Sequence, residues 1–292
     1  MAFRLLLAPG RSRHAERAGY IDPMPRLTLK RHPDVPLEAE CLSPDVIAGK
    51  TPDEVRALPV FLGKRRLRLD EFFDVAGPAD DTLELHGDLN RVKWVGKGMT
   101  RGTVRVHGNV GMHLGAFLKR GSIEVTGNAG DWVGGEMAGG TIRVRGNAGG
   151  QVGAAYRGSL SGMNRGTILI DGSAGIEVGM RMKRGLIAVR GPVRDFAGLQ
   201  MKGGTLVLMG GAEIRTGAWM ARGTIVCLNP VRLLPTFARC CAYDPTFLRL
   251  YARHLAPLGF EIPTDPAAGS YERFMGDAAV PGKGELLVWR PV

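Results

Sequence analysis

The sequence predicts an all-β solenoid of about seven stacked rungs, and three observations support this prediction. Residues 87–229 repeat with a period of 19, glycine recurs at three fixed positions, and each repeat contains one stretch that alternates like a strand. Repeats of paired helices need a longer period, and the leucine-rich and calcium-binding consensus residues are missing. Each repeat should therefore form one rung, with strands stacked about 4.8 Å apart.

Glycines mark the predicted corners of each rung. One follows a short apolar stretch, a second precedes the alternating strand, and a third closes that strand. Because glycine takes positive φ without steric cost, all three positions are predicted to be turns. The first set is Gly96, Gly115, Gly134, Gly153, Gly179, Gly198 and Gly217; the second is Gly102, Gly121, Gly140, Gly166, Gly185, Gly204 and Gly223; the third is Gly108, Gly127, Gly146, Gly172, Gly191 and Gly210, with Asn229 in the last repeat. Extra residues in the fourth repeat, within 154–164, are predicted to form a loop at one corner.

Stacking converts sequence positions into columns along the solenoid. Alternating apolar residues of each closing strand, such as Ile142 and Val144, should face inward. A nearly pure methionine column, three residues before the second glycine, is interpreted as core packing in preference to a soft-metal site. In the last two repeats the outward positions Val207, Val226, Met209 and Leu228 are apolar. We expect them to be covered, either by the C-terminal segment of the chain or by a partner protein.

The flanking segments are predicted to cap the solenoid. Residues 24–86 form the N-terminal cap, with a strand in RLTLK and a helix that Thr51 caps. Residues 230–292 form the C-terminal cap, and residues 1–23 a basic arm. The C-terminal cap should contain an amphipathic helix; its predicted apolar face consists of Phe247, Leu250, Tyr251, His254 and Leu255.

Composition excludes several classes of protein. The N-terminal apolar run is too short and too interrupted for a secretory signal, and no run is long enough to span a membrane. Four cysteines without CxxC spacing argue against a disulfide framework, so a reducing cytoplasm is expected. The net charge of +11 lies in residues 87–229, which hold 19 Lys and Arg against 8 Asp and Glu. A basic central region flanked by neutral ends indicates an anionic partner or an ordinary solvated surface.

The strongest candidate site is a basic ladder at the corner that precedes each strand. It comprises Arg101, Lys119, Arg120, Arg165, Lys183, Arg184, Lys202 and Arg222. Stacked like charges repel, so solvent, nearby acids or a bound anion must compensate. Solvated turn residues and a polyanion site both remain open on the sequence alone.

A search for catalytic or metal-binding residues gives no site. His86 and His107 occupy equivalent positions in neighbouring repeats, with His113 nearby in sequence, but no acidic third ligand is evident. Acidic residues of the repeats do not share a column in adjacent rungs, which disfavours glycoside hydrolysis. The GxxG stretches lead into strands, unlike phosphate loops. Nucleic-acid binding is disfavoured because the aromatic residues fall at varied positions in the repeat.

Three blocks of the chain resemble a known family. The stretch from Leu27 to Gly77, the glycine repeats, and YERFMGDAAVPGKGELLVW from Tyr271 to Trp289 are similar to the C subunit of formylmethanofuran dehydrogenase. They resemble more closely the corresponding subunit of the bacterial formyltransferase/hydrolase complex. The repeats are also of the kind found in the C-terminal domain of glutamate synthase, although no amidotransferase or flavin domain accompanies them here.

The resemblance implies a non-catalytic, right-handed parallel β-helix within a formyltransferase/hydrolase complex. Such a complex moves a formyl group from tetrahydromethanopterin to a methanofuran-type cofactor and releases formate, with the chemistry in the hydrolase and formyltransferase subunits. The cofactor carries a polyglutamate tail, so the resemblance makes the basic ladder a candidate for non-covalent contact with it. Two alternatives remain: the C subunit of a molybdenum or tungsten formylmethanofuran dehydrogenase, and a stand-alone β-helix that binds polyanions.

Overall fold

The structure, a computed structural model, describes residues 25–78 and 80–292, so the predicted arm 1–23 lies outside the described residues. The strands are β1 (Arg26–Leu29), β2 (Leu37–Glu38), β3 (Pro59–Leu62), β4 (Arg65–Arg68), β5 (Phe73–Ala76), β6 (Thr82–His86), β7 (Val92–Lys93), β8 (Thr103–His107), β9 (Ser122–Val125), β10 (Ala138–Val144), β11 (Arg165–Ile170), β12 (Leu186–Val189), β13 (Lys202–Leu208), β14 (Arg222–Cys227), β15 (Ala238–Tyr243), β16 (Gly269–Gly276) and β17 (Gly284–Pro291). The α-helices are α1 (Pro44–Ile47), α2 (Pro52–Arg56) and α3 (Leu248–Leu255).

The prediction of a regular right-handed parallel β-helix is wrong. The described residues form a mixed sheet of 13 strands, ordered β15-β16-β17-β14-β13-β12-β11-β10-β9-β8-β6-β1-β5, and a second sheet of four strands, β4-β3-β2-β7. Strands β8 to β14 pair in parallel, but antiparallel strands close the large sheet at both ends. The rest of each repeat consists of turns, which isolated bridges and backbone hydrogen bonds join to neighbouring repeats. Glycine-rich turns leave too few extended residues for the additional long sheets of a regular β-helix.

The repeat period sets the register of the parallel strands. Val104 lies opposite Ile123, which lies opposite Ile142 on the next strand. The alternating apolar residues that were predicted to face inward are buried, and so is the methionine column, which confirms its role as core packing. That column consists of Met99, Leu118, Met137, Met163, Met182, Met201 and Met220, each with 0% exposure.

The glycine columns have two different physical causes. Members of the first and second sets have positive φ, as predicted for turns; Gly115 and Gly121, for example, have φ of 60° and 93°. In the third set only Gly108 has positive φ. A Cβ at Gly127 would lie 2.6 Å from the carbonyl oxygen of Gly108 in the preceding repeat. Close stacking of the repeats therefore explains most of the third column, where a turn was predicted.

Both flanks contain predicted elements. Strand β1 lies in RLTLK and pairs with β6 in parallel and with β5 antiparallel. Helix α2 begins with a capping box: the Glu54 backbone N–H donates to the Thr51 hydroxyl, and the Thr51 N–H donates to the Glu54 carboxylate at 2.7 Å. Among the described helices, none has the length and apolar character needed to cross a membrane.

The C-terminal segment covers the apolar outer face of the last repeats. Val207 and Val226 are fully buried, and they pack in one cluster with Leu248 and Leu255 of helix α3. Met209 and Leu228 pack against the same cluster. The covering segment belongs to the chain itself, as one of the two predictions had it; the partly buried Met209 and Leu228 leave a partner interface at this face as a prediction.

The apolar face of helix α3 differs from the prediction. Leu250 is 71% exposed and Phe247 is 37% exposed, whereas Leu248 and Leu255 are buried. His254 is exposed as well. The helix is oriented by its contacts with the sheet, where the Tyr251 hydroxyl lies 3.0 Å from the hydroxyl of Thr205. Tertiary packing thus selects a different stripe of this short helix from the one that the sequence pattern indicates.

Candidate functional site

The basic ladder lies along the strand starts of the large sheet. All eight of its residues are exposed. The backbone N–H groups of Lys119, Lys183 and Lys202 each donate to the carbonyl of the methionine-column residue in the preceding repeat, with N···O distances of 2.9, 2.9 and 2.7 Å. This repeated hydrogen bond holds the side chains in one column along the edge of the stacked repeats.

Most of the ladder is unpaired. Arg101 lies 3.5 Å from the carboxylate of Asp81, and the Lys202 ammonium donates to the carbonyl of Leu160 at 2.6 Å. The remaining six side chains have no ion pair or hydrogen bond with another described residue. They are Lys119, Arg120, Arg165, Lys183, Arg184 and Arg222. Among residues 25–78 and 80–292, an acid therefore compensates the charge of Arg101 alone in the ladder.

Paired glycines change the register of the ladder. The sequence columns place Gly139 and Gly203 where other repeats have arginine. In the structure a register shift aligns Lys202 with Arg222, and it aligns Ala138 with Arg165. A Cβ at Gly139 would lie 2.2 Å from the carbonyl oxygen of Lys119, so this position requires glycine. The ladder is consequently continuous at Lys202 and interrupted only at Ala138.

Every acidic residue of the repeats is engaged within the chain. Glu124 pairs with Arg145, Asp171 with Arg143, Asp195 with Arg215, and Glu213 with Arg194. The other four accept hydrogen bonds: Asp88 from Asn109, Asp131 from the N–H of Gly150, Glu136 from the N–H of Tyr156, and Glu177 from Gln151. The acids of the repeats thus serve as structural partners.

Aromatic residues of the turns form a cluster that the sequence analysis missed. Trp94, His113 and Trp132 occupy the same position, two residues before the first glycine, in successive repeats, and each has positive φ. The rings of Trp94 and His113 stack with centroids 4.1 Å apart, and Trp132 stacks on Tyr156 at 4.6 Å. The prediction that the aromatic residues fall at varied positions is therefore wrong for this column. The sequence signal that could have revealed the cluster is the constant spacing of two residues between each ring of this column and the first glycine of its repeat.

A cleft of about 580 Å³ adjoins this aromatic cluster. Trp132 and Tyr156 form one wall, and Arg157, Glu177 and Arg181 contribute charged groups. The guanidinium of Arg181 donates to the carbonyl of Ser159 at 2.7 Å, which attaches the extra loop of the fourth repeat to the neighbouring turn. The loop predicted within 154–164 is thus one border of the cleft.

The three histidines considered as metal ligands separate into two places. His113 belongs to the aromatic cluster, where its Nδ1 lies 2.9 Å from the Tyr156 hydroxyl. His86 and His107 lie together on the sheet, with Glu84 beside them. The sequence search missed Glu84 because it examined acids within residues 87–229 only. The acidic third ligand that the search required is therefore present.

Comparison with known proteins places the chain in a family. The GXGXG motif family matches residues 90–237. The Fhc C subunit of the formyltransferase/hydrolase complex of Methylorubrum extorquens is 49% identical over 263 residues, which cover 89% of this chain and 98% of that protein. The C subunit of the tungsten-containing formylmethanofuran dehydrogenase 2 of Methanothermobacter thermautotrophicus is 43% identical over 95 residues; the match spans 35% of that relative's length and 31% of this chain.

A solved structure agrees with the sequence comparison. The chain superposes on a chain of the crystal structure of the formyltransferase/hydrolase complex FhcABCD from Methylorubrum extorquens in complex with methylofuran, with a TM-score of 0.83 and 33% identity. The superposition covers 91% of this chain and 99% of the other. The glycine repeats and the near-complete match to the Fhc protein together show that this chain belongs to the family of formyltransferase/hydrolase complex C subunits, which is related to the C subunit of formylmethanofuran dehydrogenase.

Proposed function

We propose that this chain is a non-catalytic subunit of a formyltransferase/hydrolase complex, and that its basic ladder holds the anionic tail of a methanofuran-type cofactor. The complex would transfer a formyl group from tetrahydromethanopterin to that cofactor and hydrolyse it to formate, with the chemistry in its hydrolase and formyltransferase subunits. The near-complete match to an Fhc C subunit supports the assembly. The solved complex that contains methylofuran supports a methanofuran-type cofactor.

The observation that carries the cofactor role is the contrast between free bases and engaged acids. Six exposed ladder side chains lack an ionic partner among the described residues, while four acids of the repeats form ion pairs with arginines and the other four accept hydrogen bonds from neutral groups. A polyglutamate chain presents carboxylates at intervals along its length, so it can contact several rungs at once.

The size of the effect follows from the exposure of these groups. Each exposed ion pair contributes about 0.2 to 1 kcal/mol, so several simultaneous contacts give a few kcal/mol. Salt screens such contacts, because the Debye length falls to about 8 Å at physiological ionic strength. Binding of the tail should therefore weaken steeply as salt is added.

The test is a charge-matched comparison. A variant with Arg120, Arg165 and Arg184 changed to Ala should bind a synthetic oligoglutamate peptide more weakly than the wild type at low salt. A control variant changes three other exposed arginines, Arg65, Arg66 and Arg253, to Ala and removes the same net charge. Isothermal titration calorimetry at increasing salt measures both. Equal affinities of the two variants would refute a specific role of the ladder.

A separate experiment tests the assembly. The tagged chain, expressed in its native host, should co-purify with hydrolase and formyltransferase subunits, and the mass of the intact complex would show their presence. A monomer without partners would contradict the proposed place in the complex, whatever the result with oligoglutamate.

A further inference from the structure

Three possible metal ligands meet on the outer face of the first strands of the large sheet. Glu84 and His86 are two residues apart on β6, so their side chains lie on the same face of the strand. His107, the last residue of β8, is the direct register partner of His86. One ligand atom from each residue lies within 4.8 Å of the others.

The imidazole of His86 has a nitrogen without a partner. Its Nε2 atom is buried and makes no hydrogen bond. The rings of His86 and His107 stack with centroids 4.3 Å apart and an interplanar angle of 14°. A buried polar atom that makes no hydrogen bond carries a desolvation cost, and a metal ion bound to that atom would offset the cost. The unpartnered nitrogen thus lies beside two further groups that can bind a metal ion.

The carboxylate of Glu84 is oriented toward the histidines. Its side chain is 10% exposed; the Arg105 guanidinium donates to Oε1 at 3.0 Å, and Oε2 contacts Nε2 of His107. Contacts of this kind fix the orientation of metal ligands in known sites.

The ligand atoms of the cluster restrict the metal it can bind, and two positive charges beside it oppose any cation. Arg26 and Arg105 lie on the neighbouring strands β1 and β8, each opposite Glu84. Ca²⁺ and Mg²⁺ depend on several oxygen ligands, and here Glu84 supplies the one carboxylate. Neutral imidazoles suit zinc and its neighbours in the first transition row.

We propose that Glu84, His86 and His107 bind one divalent transition-metal ion such as Zn²⁺. Two imidazole nitrogens and one carboxylate form a known donor set of zinc sites, with the fourth position open to water. For binding, His107 must carry its proton on Nδ1, so that the Nε2 lone pair is free for the ion and the contact between His107 and Glu84 is replaced by two metal bonds. The two stacked rings must also turn out of their nearly parallel arrangement, because an imidazole lone pair lies in the plane of its ring. The ion would join β6 to β8, at the place where the first repeat strand meets the N-terminal flank.

The full-length chain, stripped with a chelator and dialysed, provides the test. Zn²⁺ should bind saturably with 1:1 stoichiometry in calorimetry, and Co²⁺ should give visible absorption bands that Zn²⁺ displaces. The His86→Ala and His107→Ala variants should each lose this binding. The matched control is His254→Ala, which removes an exposed histidine of helix α3 and should leave binding unchanged.

Stability measurements keep the test independent of folding defects. Zn²⁺ should raise the thermal midpoint of the wild type and of His254→Ala, because a ligand that binds only the folded state stabilises it. It should not raise the midpoint of Glu84→Gln, a variant that keeps the shape of the side chain. Absence of saturable binding to the wild type would overturn the proposal, as would equal binding by the folded His86→Ala and His107→Ala variants.

Discussion

Each repeat has a strand side, which contributes to the large sheet, and a turn side. The exposed side chains on these two sides differ in whether they have partners within the chain. On the strand side, Asp171 lies within 4 Å of Arg143, Arg145 and Arg190, and the apolar outer face of the last repeats lies beneath the C-terminal segment. On the turn side and at the strand starts, six basic side chains are unpaired within the described residues, and a cleft opens beside the aromatic cluster. Apart from the proposed metal site on β6 and β8, the strand side is thus stabilised by the chain itself, whereas the turns and the strand starts present groups that can bind a partner.

This difference separates residues that stabilise the fold from residues available for binding. Exposed charges without partners contribute little to stability, so replacing them should be tolerated. Half-buried ion pairs behave differently, because removal of one partner leaves a charge that solvent reaches poorly. Substitutions on the two sides therefore test the distinction directly.

The largest effect is expected for Asp171→Ala. The Asp171 side chain is 11% exposed, and it accepts hydrogen bonds from Arg143, which is 15% exposed, at 3.1 and 3.2 Å. Its loss leaves three arginines without their shared acid, and we expect a cost of about 3 kcal/mol in the free energy of unfolding, as when one partner of a buried ion pair is removed. Urea denaturation measures it. Arg222→Ala on the ladder is the control and should change stability by less than about 0.5 kcal/mol. Similar losses in the two variants would contradict the distinction.

A smaller loss is expected for Val207→Ala. Val207 is fully buried between the sheet and the C-terminal segment, although its position on the strand points away from the interior of the repeats. Removal of two carbon atoms should cost about 2 kcal/mol, from lost apolar burial and the cavity that remains. Leu250→Ala, at a side chain that is 71% exposed, should be close to neutral in the same assay. A neutral Val207→Ala would mean that the C-terminal segment does not stabilise this face.

Periodicity predicted the local features of the repeats well. The 19-residue spacing predicts the register, the inward columns, the buried methionines and the positive φ of the glycines around each turn, because stacking imposes one backbone conformation on every repeat. The helix cap at Thr51 could also be predicted from the sequence, since it depends on two residues that are three positions apart.

The repeat pattern does not predict features that depend on contacts between segments far apart in the sequence. The antiparallel closure of the large sheet depends on where β15, β16 and β17 pack, and no period encodes this. The buried stripe of helix α3 depends on the same contacts. The meeting of Glu84, His86 and His107 was not predicted because Glu84 precedes the first complete repeat, although strand pairing places it close to His107.

The smallest predicted effect concerns pH and the turn side. His113 is half-buried between Trp94 and Tyr156. Burial, and then the charge of Lys93, lower the pKa of His113 to about 4 in the folded chain, against about 6.5 for an unperturbed histidine. As the pH falls from about 6.5 towards 4, the unfolded chain takes up a proton that the folded chain resists, so stability is lost across this window.

His113→Gln removes this proton uptake and keeps a side chain that the backbone tolerates, since Gln151 occupies the equivalent position in the fourth repeat with φ of 58°. The fall in the urea midpoint between pH 7 and pH 5 should be smaller in this variant than in the wild type. The pKa of His86 is also lowered, so part of the pH dependence should persist in the variant. His254→Gln, at an exposed site, should follow the wild type. An equal loss of stability in His113→Gln and the wild type over this range would contradict the prediction. It would mean that the aromatic cluster accepts the charged imidazole, and that the cluster is as accessible to solvent as the basic ladder.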